Sequence, residues 1–327
     1  MALGHRPFLF SSTNSYVQLS NNSHFAGFNM SEYEMFGISN YSHIGITKNV
    51  VSHLLKDCVR LENNNTHISI LDNVFQFMNN DCIHFNDNNT DISIQKNVFS
   101  NISEDAIHFH DNNSNLMIAY NSIMNVGDDG ISIDNQNIAV IQNNIMSHIQ
   151  SDGVDIDDNN VINVAYNTIT HTKYDGINVD DNTTGKIEYN NIQFANDNAI
   201  EIDDSNRINI TYNSIRTADV GVDIGNLNTV FLSRNTMSNM SDNGVHAVNS
   251  NNIAMSYDLI ETSTTCFNIF VDNTIYMNNV VFSCTVDVNL NGENTLDGGG
   301  TADDFICNSV DSQTGFLQFG DATCPTS

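Results

Sequence analysis

Three histidines stand close together in this 327-residue chain: His84, His108 and His110. His84 and His108 occupy the same place in two copies of a repeated phrase, and His108 and His110 are two residues apart. Imidazoles titrate near neutral pH and ligate transition metals. Grouped beside Asp111 and Asp134, they suggest acid–base work or metal binding. Carboxylates continue the series. One column of equivalent positions reads His84, His108, Ser132, Asp155, Asn178, Glu201, Asp223, His246, and a second reads Asn86, His110, Asp134, Asp157, Asp180, Asp203, Gly225. The candidate catalytic residues are therefore His108, His110, Asp134 and Asp157. A hard cation such as Ca²⁺ takes oxygen ligands, and for it the candidates are Asp134, Asp155, Asp157, Asp180, Glu201 and Asp203. Carboxylates two apart on a strand lie about 7 Å apart and those on neighbouring strands about 5 Å. Both spacings suit glycosidase chemistry, and a regular stripe supplies each many times over.

The repeated phrase explains how these residues come to be aligned. Ten copies recur every 22 to 24 residues, from Asp57-Cys58-Val59 through Asp81-Cys82-Ile83, Asp105-Ala106-Ile107 and Asp175-Gly176-Ile177 to Thr265-Cys266-Phe267. So short a period marks a solenoid, in which each unit buries its apolar face by stacking on its neighbours. Within a copy, Ile107 and Phe109 alternate with His108 and His110, the period-two pattern of a strand with one buried face. A second strand follows, as in Ile92-Ser93-Ile94, and then an Asn (Asn73, Asn97, Asn121, Asn143, Asn167, Asn190, Asn213, Asn235). Two residues later comes an apolar anchor (Phe75, Phe99, Ile123, Ile145, Ile169, Ile192, Ile215, Met237). Three short strands per copy predict one triangular coil of a parallel β-helix, with the Asn as a hydrogen-bonded turn ladder. Tyr120, Tyr166, Tyr189 and Tyr212 precede the ladder Asn and are expected to stack outside the turn.

The Asp-Gly-Ile and Asn-x-Ile elements, as in Asp175-Gly176-Ile177 and Asn167-Thr168-Ile169, resemble the right-handed parallel β-helix repeat of the pectate-lyase-like superfamily. The resemblance runs from about Tyr16 to Leu290. It implies an all-β, single-stranded right-handed parallel β-helix of about twelve coils, and its members include polysaccharide lyases, glycoside hydrolases, phage tailspikes and bacterial surface proteins. Gly127-Asp128-Asp129-Gly130-Ile131 is similar to the Gly-Asp-Asp element of polygalacturonase-type hydrolases, whose paired Asp residues carry the chemistry. That family's Asn-Thr-Asp, Gly-His-Gly and Arg-Ile-Lys elements are missing, and Asp129 is also the repeat's usual Asp. Lyases of the fold commonly use a basic residue on a uronate, and the stripe holds no Lys or Arg.

The formal charge of −29 excludes nucleic acid and anionic membrane surfaces as partners. Cations, divalent ions and neutral or cationic glycans remain. No apolar run is long enough for a membrane-spanning helix. Cys266 with Cys284, and Cys307 with Cys324, are expected disulfides that imply an oxidising compartment, hence a secreted or cell-surface protein. Met1–Phe10 lacks the charged-then-apolar pattern of a signal peptide, so an export signal is expected to have been removed. Cys58 and Cys82 fill the small-residue slot as buried thiols or as a bridged pair. The domain division expected is a β-helix over 1–290 and a disulfide-fastened cap over 291–327 that covers an open edge. Two functions follow as alternatives: a glycan-binding or glycan-processing β-helix, with Ca²⁺ as its candidate cofactor, acting as a polysaccharide hydrolase or lyase, or a structural or adhesive solenoid that self-associates through its ends.

Overall fold

The computed structural model describes residues 40–261, 264–291 and 294–302, together with the strands Phe8–Phe10, His24–Ala26, Asn29–Ser31, Phe36–Ile38, Phe305–Cys307, Ser312–Thr314 and Gln318–Phe319. Cys324 lies outside these residues, so the pairing expected with Cys307 lies outside them too. The fold is a parallel β-solenoid of about 11 turns. Among the described residues there is no helix, and so none long and apolar enough to cross a membrane.

The chain divides into two compact units, Met1–Asp155 with Asn160–Ile162, and Ile156–Asn159 with Asn163–Ser327. In the first, each rung has three strands, as in Ile83–Phe85, Thr90–Gln95 and Val98–Ile102, followed by Ile107–Phe109, Ser114–Ala119 and Ser122–Val126. Every strand pairs in parallel with its equivalent one rung on: Ile83 with Ile107, Ile92 with Leu116, Phe75 with Phe99. The inward residues are Ile, Val, Leu, Phe and Met, nearly all fully buried. Each contributes about 1.5–3 kcal/mol by leaving water, and like residues stack along the axis, Phe85 on Phe109 with ring centres 4.4 Å apart and Phe75 on Phe99 at 5.3 Å. The second unit repeats the scheme, with Ile177 beside Ile200, Ile200 beside Val222 and Val222 beside Val245. Its described strands continue to Gln318–Phe319, which pairs with Thr295–Ala302.

Two buried Asn ladders close the turns. Asn97 shows the logic: its Oδ1 accepts from the backbone N–H and the Nδ2 of Asn73, at 2.9 and 3.0 Å, while its Nδ2 donates to the Ile70 carbonyl and to Asn121 Oδ1, at 2.9 and 3.1 Å. A turn buried by stacking cannot reach water, so its backbone groups need such partners. The expected ladder is present with one correction. After Asn121 the series passes through Asn144, which takes the Asn121 N–H at 2.9 Å, and not through Asn143. The apolar anchor slips with it: Met146 is fully buried opposite Ile123, while Ile145 is 58% exposed. Asn143 instead has the left-handed backbone (φ 55°) of Tyr120 and Tyr166, where Asn is well tolerated. A second ladder, Asn65, Asn89, Asn113, Asn137 and Asn160, closes the other corner by the same bonds and was not expected.

The tyrosine column stacks on itself. Tyr166, Tyr189 and Tyr212 lie 4.8 and 4.7 Å apart, and Arg234 lies over the rings of both Tyr212 and Tyr257. Cys266 and Cys284 form the expected disulfide, with their Cα atoms 5.6 Å apart. Cys58 and Cys82 are free, fully buried thiols, their sulfurs 3.0 Å apart on successive rungs.

Candidate functional site

The chemistry-bearing face of the first unit is built on the strands Val59–Leu61, Ile83–Phe85, Ile107–Phe109 and Ile131–Ile133. Aliphatic and aromatic residues at their ends point inward, which turns the middle residues outward in register: Arg60, His84, His108, Ser132. The repeated Asp just before each strand is a ladder of its own. Asp81 Oδ1 accepts the Asp105 N–H at 3.0 Å, Asp105 Oδ1 that of Asp129 at 2.8 Å, and Asp129 Oδ1 that of Asp152 at 2.8 Å. One oxygen of each carboxylate is thus spent on the backbone, including that of Asp129 in the Gly-Asp-Asp element.

The other oxygen reaches the histidines three residues on. Asp81 Oδ2 meets His84 Nδ1 at 2.8 Å and His108 Nδ1 at 3.5 Å, and Asp105 Oδ2 meets His108 Nδ1 at 3.3 Å. From the opposite side Asp134 Oδ2 takes His110 Nδ1 at 2.8 Å and His108 Nε2 at 3.3 Å. His84 Nε2 lies 3.0 Å from Asn86 Oδ1. The three rings are mutual neighbours, with centres 4.5 to 5.1 Å apart. Three of the four expected catalytic residues, His108, His110 and Asp134, therefore form one cluster. Asp157 belongs to the second unit.

Burial sets the protonation of this cluster. It would lower the His108 imidazolium, but hydrogen bonds to Asp134 and Asp81 and the surrounding carboxylates outweigh it and hold the group up at about 10. Burial and the neighbouring charge of Asp129 push Asp105 up to about 8. Asp81 and Asp134 go the other way: burial would raise them, and their bonds to the histidines hold them below the usual carboxylate range. At neutral pH the cluster thus carries an imidazolium and a neutral carboxylic acid beside two carboxylates. Among the described residues three groups of donors come within 4.8 Å of one another as a metal would require: His84 with His108 and His110, Asp81 with Asp105 and His108, and Asp105 with Asp128 and Asp129. A metal bound to either of the first two needs its imidazoles neutral, so it would have to displace the proton that Asp134 and Asp81 hold on His108.

Sequence reasoning missed Asp81 and Asp105, although Asp-x-x-His recurs at both places. It also missed Arg60, which extends the column one rung before His84 and binds Asp57 at 3.0 Å and Glu62 at 2.9 Å.

In the second unit the outward column runs Asn178, Glu201, Asp223, His246 in register. Asp180 follows Asp157 by one rung, its N–H bonded to the Ile156 carbonyl at 2.8 Å. Burial, then the charges of Asp203 and Asp157, push Asp180 up to about 6, and burial with Glu201 does the same to Asp203. Asp223 binds His246 Nδ1 at 2.8 Å and raises that imidazole's pKa. Among the metal candidates, Asp157, Asp180, Glu201 and Asp203 gather here. Asp155 points outward on its own strand, Val154–Ile156, and Asp134 is held by the two imidazoles of the first unit.

The family model of the right-handed β-helix region matches residues 34–185 and 157–301. The chain belongs to that family. Solved β-helix structures resemble it at low identity. The A-module of mannuronan C-5 epimerase AlgE4 from Azotobacter vinelandii aligns with 95% of this chain and 85% of its own at 10% identity, with a TM-score of 0.47. The A-module of AlgE6 from the same organism aligns with 92% and 85% at 11% identity, TM-score 0.31. Tailspike protein 2 of Escherichia coli O157:H7 bacteriophage CAB120 aligns with 88% of this chain and 39% of its own at 10% identity, TM-score 0.33. A search of the curated proteins gives no match.

Proposed function

We propose that this β-helix binds a glycan across the outward face of its first unit and processes it by proton transfer at the cluster around His108. The observation that carries the reading is the His108 ring held between Asp134 on one nitrogen and Asp105 and Asp81 on the other. Catalytic acids and bases are found where environment drives neighbouring pKa values apart, and here an imidazolium raised to about 10 and a carboxyl raised to about 8 adjoin two lowered carboxylates. In this scheme His108 and Asp105 are the acids, Asp134 is the base, and His110 orients Asp134. The Cys266–Cys284 disulfide supports a secreted or cell-surface location. The test is a broad panel of neutral and uronate-containing glycans, with and without Ca²⁺, assayed for binding, new reducing ends and unsaturated ends. Turnover that disappears in His108→Ala and Asp134→Asn supports the reading. A panel in which nothing is bound or altered refutes it.

A second reading is favoured by a separate observation: burial, and after it the repulsion of neighbouring carboxylates, lifts Asp180 and Asp203 to about 6. A Ca²⁺ ion on Asp157, Asp180, Glu201 and Asp203 would relieve the repulsive part, since carboxylates on neighbouring strands repel by roughly 1 kcal/mol per pair even in water. Calorimetric titration with Ca²⁺ decides this, and no heat of binding refutes it.

A further inference from the structure

At the end of the third strand of each rung one residue has left-handed backbone angles: His53, Phe77, Asn101, Asn125 and His148, with φ between 54° and 59°. Their side chains therefore leave the turn as a column. His53 stacks on Phe77 with ring centres 4.9 Å apart. The next two rungs carry amides in place of rings, and a ring returns only at His148. Where the two rings are missing, the surface opens into a groove of about 660 Å³, lined by Phe77, Asn101, Ser103, Asn125, His148 and Gln150. That volume lies within the range of about 300–1,000 Å³ usual for small-molecule sites. Gly127 keeps the floor level, since a Cβ there would run into the Ser103 carbonyl.

We propose that this groove is a binding subsite for a neutral sugar chain. Phe77 is 46% exposed, and only one of its faces meets another ring. The face turned toward Asn101 is an apolar platform for the C–H side of a pyranose. Asn101 and Asn125 sit on successive rungs, with Asn125 Nδ2 3.4 Å from Asn101 Oδ1. A contact that long leaves both amides with donor and acceptor capacity for hydroxyl groups. The span from Phe77 to His148 is three rungs, about 14 Å at the spacing of neighbouring strands, which suits a short oligosaccharide running along the axis. No Asp, Glu, Lys or Arg lines the groove, and His148 is the one lining side chain able to carry charge, so a uronate or sulfate would find no permanent positive charge there. The exposed Glu104 and Asp128 at its edge would repel one. The groove also lies next to the cluster: Asn79, Ser103 and Gly127 each stand two residues before Asp81, Asp105 and Asp129. The subsite rests on the glycan reading above, and it narrows the substrate to a neutral polymer.

The test uses calorimetric titration with neutral hexasaccharides of glucan, mannan and xylan type, and with hexagalacturonate as the anionic comparator. Wild type, Phe77→Ala, Phe77→Tyr and the double variant Asn101→Ala/Asn125→Ala are compared, with folding checked by far-UV circular dichroism. At least one neutral hexasaccharide should bind, hexagalacturonate should bind more weakly, Phe77→Ala should weaken binding roughly five- to ten-fold, and Phe77→Tyr should restore it. The double Asn variant should lose at least as much. If a neutral hexasaccharide binds wild type and both groove variants equally, the subsite is wrong and the glycan reading stands. Preference for hexagalacturonate overturns the neutral assignment. If no oligosaccharide binds at all, the glycan reading and the subsite fall together.

Discussion

Replacing His108 by alanine should destabilise the protein by an amount that depends on pH in a defined way. The imidazole is 18% exposed and faces Asp81, Asp105 and Asp134, with His84 and His110 alongside. Its pKa rises from 6.5 to about 10 in the folded protein. A group whose pKa is raised by folding contributes stability that is complete below its unfolded value and is lost as pH climbs through its folded value. At about 1.4 kcal/mol per pK unit, the contribution of His108 is on the order of 4 to 5 kcal/mol at pH 6, similar to the cost of breaking a buried ion pair by removing one partner. Roughly half should remain at pH 8 and little above pH 10. At the acid end it fades again once Asp81 and Asp134 protonate, below the usual carboxylate range. Urea unfolding of wild type and His108→Ala, followed by far-UV circular dichroism at pH 6, 8 and 10, measures the difference. The gap should be widest at pH 6 and nearly closed at pH 10. A gap that stays constant over this range would show that His108 contributes by packing alone, and the electrostatic account of the cluster would be wrong.

Asn97→Ala should cost about 2 to 3 kcal/mol in the same assay, because it strands the buried Asn73 N–H and takes the Nδ2 donor from the Ile70 carbonyl, while Asn121 Oδ1 keeps the backbone N–H of residue 97. Asn97→Asp keeps the acceptor and loses the donors, so its cost should be smaller. In the second unit Asp180 and Asp203 are raised from 3.8 to about 6, so their contribution to stability falls as pH rises from about 4 to about 6. Asp180→Asn and Asp203→Asn should therefore each raise the melting temperature at pH 8 and leave it unchanged at pH 4. The gain should be near 1 kcal/mol, since both groups are half-exposed and screened. Cys82→Ala should cost little, because Ala106 fills the same slot one rung on. In the native wild type neither Cys58 nor Cys82 should react with a thiol reagent, since both are fully buried.

The period-two alternation and the 22- to 24-residue repeat are local signals, and they suffice for the parallel β-solenoid, the inward aliphatic positions and the alignment of His84 with His108. The same signals fail wherever one residue of slack enters a turn. Between Asn121 and Asn144 the spacing is 23, both Asn143 and Asn144 match the motif, and only burial of the Met146 side chain decides between them. The Tyr column shows a similar division. Its positions are legible in the chain, but whether its faces are free for a ligand depends on the 4.7 and 4.8 Å stacking that covers them. The cluster lies further still from the sequence. Asp81 and Asp105 read as the small grammar of the repeat, and one oxygen of each does serve the backbone. Only stacking brings the second oxygen of Asp81 against histidines of two rungs, and Asp134 against both His108 and His110. The groove beside it exists because two rungs carry Asn where their neighbours carry rings, a difference without consequence until the rungs are stacked. Periodicity determines which residues share a face, since it reflects the geometry of a single strand. Which oxygen meets which nitrogen, and which proton is held there, is settled by contacts between rungs, and those belong to the tertiary structure.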